Sequence, residues 1–273
     1  MSLLPHVDVE RPVIGMLHLM PLPGSPNYQG DRQAVIKRLL EDADALVAGG
    51  VHALLLENFG DVPFFADNVP PYVIAEMTAM AMRVRAAFDG VPLGINVLRN
   101  DAAAAMAIAA SVGADFIRVN VLTGARLTDQ GIVQGRAHDV LRLRDVVLEA
   151  QNIAVWADVE VKHSTALAPR DVGDEVEDML LRGLADALIV SGSGTGKPTD
   201  PQKLAAVRAA ADRTVRRKVP VLVGAGVTPE SLPTLARYAD GFIVGSSLKH
   251  HGFAAAPVDP SRVKALMDAW RLL

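Results

Sequence analysis

The stretch Ile153-Ala154-Val155-Trp156-Ala157-Asp158-Val159-Glu160-Val161-Lys162 carries two kinds of residue in alternation. Val155, Ala157, Val159 and Val161 share one parity, and Trp156, Asp158, Glu160 and Lys162 share the other. A period of two is that of a β-strand. One face of this strand is aliphatic, and the other gathers an indole and three ionisable groups.

The same kind of segment recurs along the chain. Short apolar runs occur at Val13–Leu19, His52–Glu57, Pro92–Val97, Asp115–Val121, Ile153–Val161, Ala185–Ser191, Val219–Gly224 and Gly241–Gly245, each bounded by Gly, Pro or polar residues. Helical patterns separate them, at about 31–48, 72–88, 101–111, 136–150, 172–182, 200–215, 229–237 and 260–272. In the first, Val35, Ile36, Leu39, Leu40, Ala43, Leu46 and Val47 fall on one helical face. Asp31 reads as its cap and Gly49-Gly50 as its stop, while Thr228-Pro229 and Asp259-Pro260 read as the starts of two later helices. Eight near-continuously apolar strands alternating with eight helices predict a parallel sheet closed into a (β/α)8 TIM barrel. A doubly wound open sheet usually has fewer units. No linker or composition break divides the chain, so residues 1–273 read as one domain.

Composition narrows the function classes. The 273 residues are 50% hydrophobic and 21% charged, with a formal net charge of −4; such a chain buries a large core. The slightly acidic balance and the 4% aromatic content argue against nucleic-acid binding. Cys is absent, which removes disulfides, thiolate metal sites and a Cys nucleophile. Met1–Arg11 lacks the apolar core of a signal peptide, and the apolar stretch near Asp101–Asp115 is too short to span a bilayer. The expectation is a cytoplasmic protein that does not span a membrane; a homo-oligomer is compatible with the sequence.

In a (β/α)8 barrel the active site lies at the C-terminal strand ends. Three ionisable groups on one inward face are costly to bury unpaired, so Asp158, Glu160 and Lys162 are read as site residues, the alternative being a closed Glu–Lys pair that plugs the barrel. Parity on the other strands adds His18, Glu57 or Asn58, Asn96, Arg118, Asn120 and Ser191. Phosphate-binding chemistry is expected in the second half: Ser191-Gly192-Ser193-Gly194-Thr195-Gly196-Lys197 after the sixth strand, Gly224-Ala225-Gly226-Val227-Thr228 after the seventh, and Gly245-Ser246-Ser247-Leu248-Lys249 after the eighth. Glycine permits close backbone approach, and free amides at a helix start attract anions. Lys197 is followed by Pro198, so the first run is not a P-loop. The phosphate residues are taken as Gly192, Gly194, Gly224, Gly226, Gly245 and Ser246; the alternative is that the glycines serve tight turns.

Several motifs together resemble the BtpA/SgcQ family over essentially the whole chain. They are Gly15-Met16-Leu17-His18-Leu19-Met20-Pro21-Leu22-Pro23-Gly24-Ser25-Pro26, Glu57-Asn58-Phe59-Gly60-Asp61-Val62-Pro63-Phe64, Gly94-Ile95-Asn96-Val97-Leu98-Arg99-Asn100-Asp101, Arg118-Val119-Asn120-Val121, Asp158-Val159-Glu160-Val161-Lys162-His163 and the two glycine runs at 191–196 and 224–227. The resemblance implies a ribulose-phosphate-binding type of barrel. The family takes its name from a cyanobacterial role in photosystem I accumulation, and another member sits in a carbohydrate-related gene setting.

Together these readings predict a barrel that binds a phosphorylated small molecule, a sugar phosphate or nucleotide-like compound, and performs isomerase- or lyase-type acid–base chemistry. Asp158 or Glu160 would be the base and Lys162 the electrophilic or acid partner, with His18 and Glu57 as further candidates and Asn96, Arg118, Asn120 and Ser191 binding substrate. A Schiff base at Lys162 would need a depressed amine pKa. The alternative is a non-catalytic assembly or regulatory scaffold. A third reading is a metal-dependent hydrolase using His18, Glu57 and Asp158; no H-x-H or H-E-x-x-H spacing is present, no resident cofactor is expected, and carboxylates on separate strands could hold Mg²⁺.

Overall fold

A computed structural model describes Leu3, Leu4 and residues 6–273. Met1, Ser2 and Pro5, which the single-domain assignment 1–273 includes, lie outside the described residues. The barrel strands are β1 (Val13–His18), β2 (Ala53–Glu57), β3 (Leu93–Asn96), β4 (Phe116–Val119), β7 (Ala154–Val159), β9 (Ala187–Val190), β10 (Val221–Val223) and β11 (Gly241–Val244). They pair in parallel and close in the order β1-β11-β10-β9-β7-β4-β3-β2. All eight coincide with the apolar runs, trimmed by one to three residues at their ends.

The helices follow the periodicity, with corrections at three of them. α1 (Arg32–Ala48) is capped by the Asp31 carboxylate, which accepts from the Ala34 N–H, and Gly49 and Gly50 end it. α2 (Pro71–Ala87), α3 (Ala102–Val112), α6 (Pro201–Thr214) and α8 (Pro260–Trp270) lie where expected. α4 (Ala137–Val146) is followed by a 3-10 turn at Leu148–Ala150, and α5 (Val172–Glu177) runs into a π turn at Asp178–Arg182. α7 shrinks to Leu232–Leu235. Thr228 caps the turn that leads into it: Thr228 Oγ1 accepts from the Ser231 N–H at 3.3 Å, Ser231 Oγ accepts from the Thr228 N–H at 2.9 Å, and the Thr228 carbonyl accepts from the Leu232 N–H at 3.1 Å.

A second sheet was not anticipated. β5 (Ala125–Thr128) and β6 (Gly131–Gln134) form a hairpin after β4, and β8 (Ser164–Ala166), which follows β7, pairs antiparallel with β5. This three-stranded flap sits over the C-terminal end of β4 and β7.

Parity holds inside the barrel. Ile14, Met16, Ala53, Leu55, Phe116, Trp156, Ala187, Ile189, Leu222 and Ile243 fill the lumen with Leu4, while the opposite parity packs on the helices. The Phe116 and Trp156 rings stack with centroids 3.7 Å apart, and a Cβ at Gly94 would fall 2.1 Å from the Phe116 ring. At the other end of the barrel, pairs of strands are stapled by one recurring contact. Asp115, Asp186 and Asp240, each one residue before a strand, accept from the first or second N–H of the preceding strand: Leu93, Val155 and Val221. Each carboxylate also meets an arginine from the helix that precedes the pair of strands, Arg85 of α2, Arg144 of α4 or Arg208 of α6. His52 Nδ1 takes the same place for Val13 N–H at 2.9 Å. Among the described residues no helix is long and apolar enough to cross a membrane.

The lumen packing gives a direct test. Gly94→Ala should cost about 1–3 kcal/mol, the usual range for overpacking, and lower the melting temperature by about 2–4 °C per kcal/mol for a chain of this size. Combining it with Phe116→Leu, which removes the obstructing ring, should cost less than the sum of the two single changes; thermal unfolding of the natural protein and the three variants reads the coupling.

Candidate active site

Above the apolar lumen lies a polar layer centred on one buried ion pair. Arg118 Nε and Nη2, from β4, donate to Asp158 Oδ2 and Oδ1, from β7, at 2.9 Å each. Asn120 Nδ2 donates to Oδ2 at 2.9 Å, and the Ser191 hydroxyl donates to Oδ1 at 3.3 Å. Both charged side chains are at most 1% exposed. Burial works against the Arg118 charge, but the Asp158 carboxylate more than offsets it and raises the guanidinium pKa. Asn96 closes the network by donating to the Arg118 carbonyl at 3.0 Å and to Asn120 Oδ1 at 3.3 Å; its own Oδ1 is buried without a partner.

Three groups at this level keep unused chemistry. His18, at the end of β1, is pushed well below its ordinary pKa by burial, and by the nearby charges of Lys249, Lys162 and Arg118. Its ring is therefore neutral. Nδ1 lies 3.0 Å from the Ala254 carbonyl, which can only accept, so the proton is assigned to Nδ1 and Nε2 carries the free lone pair. Nε2 faces Glu57 Oε1 at 3.8 Å, and the Phe59 ring stacks on the imidazole at 4.5 Å. Glu57 is 3% exposed, and its carboxylate forms no hydrogen bond among the described residues. Lys162, half-buried beyond the end of β7, has its amine pKa lowered by burial and by the Arg118 charge, against the pull of Glu57 and Asp158. Its backbone carbonyl is held by Arg99 Nη2 at 2.6 Å.

A cavity of about 250 Å³ opens on His18 and Lys162; Glu57 stands behind His18 and does not line it. Met16, His18, Arg118 and Lys162 line its inner side; Gly224–Thr228, Gly245–Ser247, Thr195, Gly196 and Arg262 line its outer side. The N–H groups of Ser246 and Ser247 open a helical turn and have no acceptor inside it. Gly226 has φ +68°, and a Cβ there would lie 2.3 Å from the Lys197 carbonyl oxygen, so only glycine lets the two loops touch. Ser247 Oγ to the Val227 carbonyl at 2.6 Å and Thr199 Oγ1 to the Ala225 carbonyl at 2.9 Å fix the loops to each other.

Not every expected residue reaches this cavity. Glu160 does not face the lumen: β7 ends at Val159, Glu160 turns to φ +52°, and its carboxylate pairs with Lys203 of α6 at 2.7 Å. Gly192 and Gly194 lie outside the lining because their run folds on itself, with the Gly192 Cβ position 2.4 Å from the Lys197 carbonyl oxygen. Asp158 and Ser191 face inward, but their polar atoms are engaged with Arg118 and with each other, so Asp158 does not meet His18 and Glu57 in a metal-type triad. Among the described residues no group of three His, Asp or Glu side chains is placed to hold a metal ion.

Thr195, Gly196, Thr228, Ser247 and Arg262 line the cavity without having been singled out; Arg262 stands in the first turn of α8, where its charge carries no sequence signal of a site. The Asn58, Asp61, Asn100 and Asp101 positions of the quoted motifs serve the loops. Asn58 Oδ1 accepts from Leu98 N–H at 2.7 Å, Asp61 from Leu22 N–H at 2.8 Å, Asn100 from Val121 N–H at 2.8 Å and Asp101 from Val69 N–H at 2.8 Å.

The family model described as "BtpA family" matches residues 9–271. The Photosystem I biogenesis protein BtpA of Synechocystis sp. is 44% identical over 269 residues, covering 98% of this chain and 91% of that protein. An uncharacterized protein of Thermococcus kodakarensis is 46% identical over 265 residues, 96% of each chain. Among solved structures, KGPDC from Streptococcus mutans in complex with D-R5P aligns with a TM-score of 0.60 over 96% of this chain and 98% of that one; at 12% identity the likeness is one of fold. With a family match running nearly end to end and relatives alike over more than nine-tenths of their lengths, the chain belongs to the BtpA family.

Proposed function

We propose that this protein is an enzyme that holds a phosphorylated small molecule, a sugar phosphate or nucleotide-like compound, and moves protons on it in an isomerase- or lyase-type reaction. The observation that carries the reading is a single cavity lined on one side by the glycine loops after β10 and β11 and on the other by His18, Arg118 and Lys162. The loops after these two barrel strands are a recurrent phosphate site in this fold. Ser246 and Ser247 N–H, the Thr228 hydroxyl and the Arg262 guanidinium would take the phosphate, and Arg118 would neutralise charge on the buried side. The solved neighbour in complex with D-R5P supports this by fold analogy alone.

The proton chemistry follows from which groups are free. Asp158 is hydrogen-bonded on both oxygens, so in this reading it orients Arg118 and takes no proton from substrate. His18 Nε2, neutral and unprotonated, and the Glu57 carboxylate are the bases, 3.8 Å apart, and the protein's own side chains carry the reaction. A ligand-sensing scaffold is the second reading, favoured by the name of the Synechocystis relative.

A thermal-shift screen of phosphorylated metabolites checks the reading. A ligand at 100 times its dissociation constant should add about 2.7 kcal/mol to the folded state. Ser246→Asp and Arg262→Gln should each weaken that ligand about tenfold or more, the loss expected from one hydrogen bond to a charged group. Consumption of the stabilising compound marks the enzyme; stabilisation without consumption marks the scaffold; no stabilisation by any phosphorylated compound overturns both.

His18 adds a pH dependence of known sign. Its folded-state pKa lies below the ordinary 6.5, so below about pH 6.5 the unfolded chain takes up a proton that the folded chain refuses. The stability owed to the neutral ring is full above 6.5 and declines as pH falls toward the folded-state pKa. His18→Gln should flatten the slope of melting temperature between about pH 6.5 and 5, and turnover by the natural protein should fall once the imidazole is protonated.

A further inference from the structure

We infer that Lys162 forms an imine with the carbonyl carbon of a phosphorylated aldehyde or ketone seated in this cavity; the inference rests on the phosphate-binding reading above. The chain has seven lysines. Lys37, Lys203, Lys218, Lys249 and Lys264 each lie within 4.0 Å of a carboxylate oxygen. Lys197 has no such partner and is exposed. Lys162 alone is sheltered and yet unpaired, its ammonium forming no hydrogen bond and no ion pair among the described residues. A structural lysine at such depth takes the form seen at Lys249, which is fully buried and closed on Asp42 at 3.0 Å.

The surroundings suit an amine that must be neutral to act. Burial disfavours the Lys162 ammonium form, and the charges of Arg118 and Arg99 add to this; together they outweigh the pull of Glu57 and Asp158 and raise the fraction of free amine. Glu57 is the carboxylate whose charge acts most strongly on this amine, and it forms no hydrogen bond among the described residues. The cavity, about 250 Å³, is smaller than the roughly 300–1,000 Å³ of pockets for drug-sized ligands, which points to a molecule of triose to pentose phosphate size. With its phosphate on the β10 and β11 loops, its carbon chain extends toward Lys162.

The step balances without a further co-reactant. The Nζ lone pair adds to the carbonyl carbon, and the C=O π pair moves to oxygen. Glu57 takes a proton from the attacking nitrogen and returns it to that oxygen, giving a carbinolamine. The C–O bond then breaks, the oxygen leaves as water with one proton drawn from solvent, and an iminium remains. That cation draws electrons from the adjacent carbon, so His18 Nε2 can remove an α-proton, the step that isomerisation and carbon–carbon cleavage share.

The test is reductive trapping. The full-length protein is treated with sodium borohydride in the presence of dihydroxyacetone phosphate, glyceraldehyde 3-phosphate or ribose 5-phosphate, and the labelled lysine is located by peptide mass mapping. Hydride reduction of the iminium carbon leaves a stable secondary amine. Label should appear on the Lys162 peptide ahead of the exposed Lys37 and Lys264, by about tenfold for each unit its pKa lies below that of a free lysine, and inorganic phosphate should suppress it. Lys162→Arg should abolish it while thermal stabilisation by inorganic phosphate persists. Stabilisation by these compounds with no Lys162 adduct from any of them overturns the imine and leaves the phosphate reading standing; label spread evenly over surface lysines also overturns it. Neither adduct nor stabilisation removes both.

Discussion

The Arg118–Asp158 pair is the contact on which the upper half of the barrel depends. Taking either charge out of water costs several kcal/mol, and removing one partner of such a pair leaves the other uncompensated at a cost of about 3–5 kcal/mol. The structure meets this with a two-point guanidinium–carboxylate contact and with Asn120 and Ser191 on the remaining carboxylate lone pairs, while Asn96 donates to Asn120 and to the Arg118 carbonyl. Strands β3, β4, β7 and β9 are thereby tied together at one level. Below it the lumen is wholly apolar, filled by Phe116 on Trp156; above it the side chains that are not consumed in the network can meet a ligand.

That division explains why Lys162, His18 and Glu57 differ from Asp158 although all were read as one inward set. The pair engages both oxygens of the Asp158 carboxylate and leaves its cation as a fixed positive wall. Neighbouring bases then feel burial and positive charge together, and both effects favour their neutral forms. His18 and Lys162 shift downward for this shared reason. The ordering of free and engaged groups is therefore a property of the network and not of any one residue.

Most of the barrel was legible because a strand buried on both faces must be continuously apolar and because parity assigns each face. Parity stops where the strand stops, and this is why Glu160 was misplaced: a left-handed residue after Val159 turns its side chain to Lys203. The β5–β6–β8 flap was illegible for a different reason. Segments such as Ala125-Arg126-Leu127-Thr128 are short and mixed in polarity, and they become strands only because a segment about 40 residues later arrives to pair with one of them. Glycine runs were ambiguous between lining a site and folding on themselves: Gly224 and Gly226 line the cavity, whereas Gly192 packs against the Lys197 carbonyl. Arg118 and Asp158 were each read as inward-facing, but their partnership spans 40 positions, and no local pattern records it.

The staples at the opposite end of the barrel bear on how the chain reaches this state. Each joins one strand to the next within a single strand–helix–strand unit, over 39, 22, 31 and 19 positions for Val13–His52, Leu93–Asp115, Val155–Asp186 and Val221–Asp240. The loop-closure entropy of such spans rises only slowly with length, and contacts near in sequence form before distant ones. The molecule is in this sense four quarters, each able to set its own register before the ring closes. The Arg118–Asp158 contact joins the second quarter to the third and can form only once they dock. Assembly order then protects the costly charges: neither needs to leave water until the other is in place.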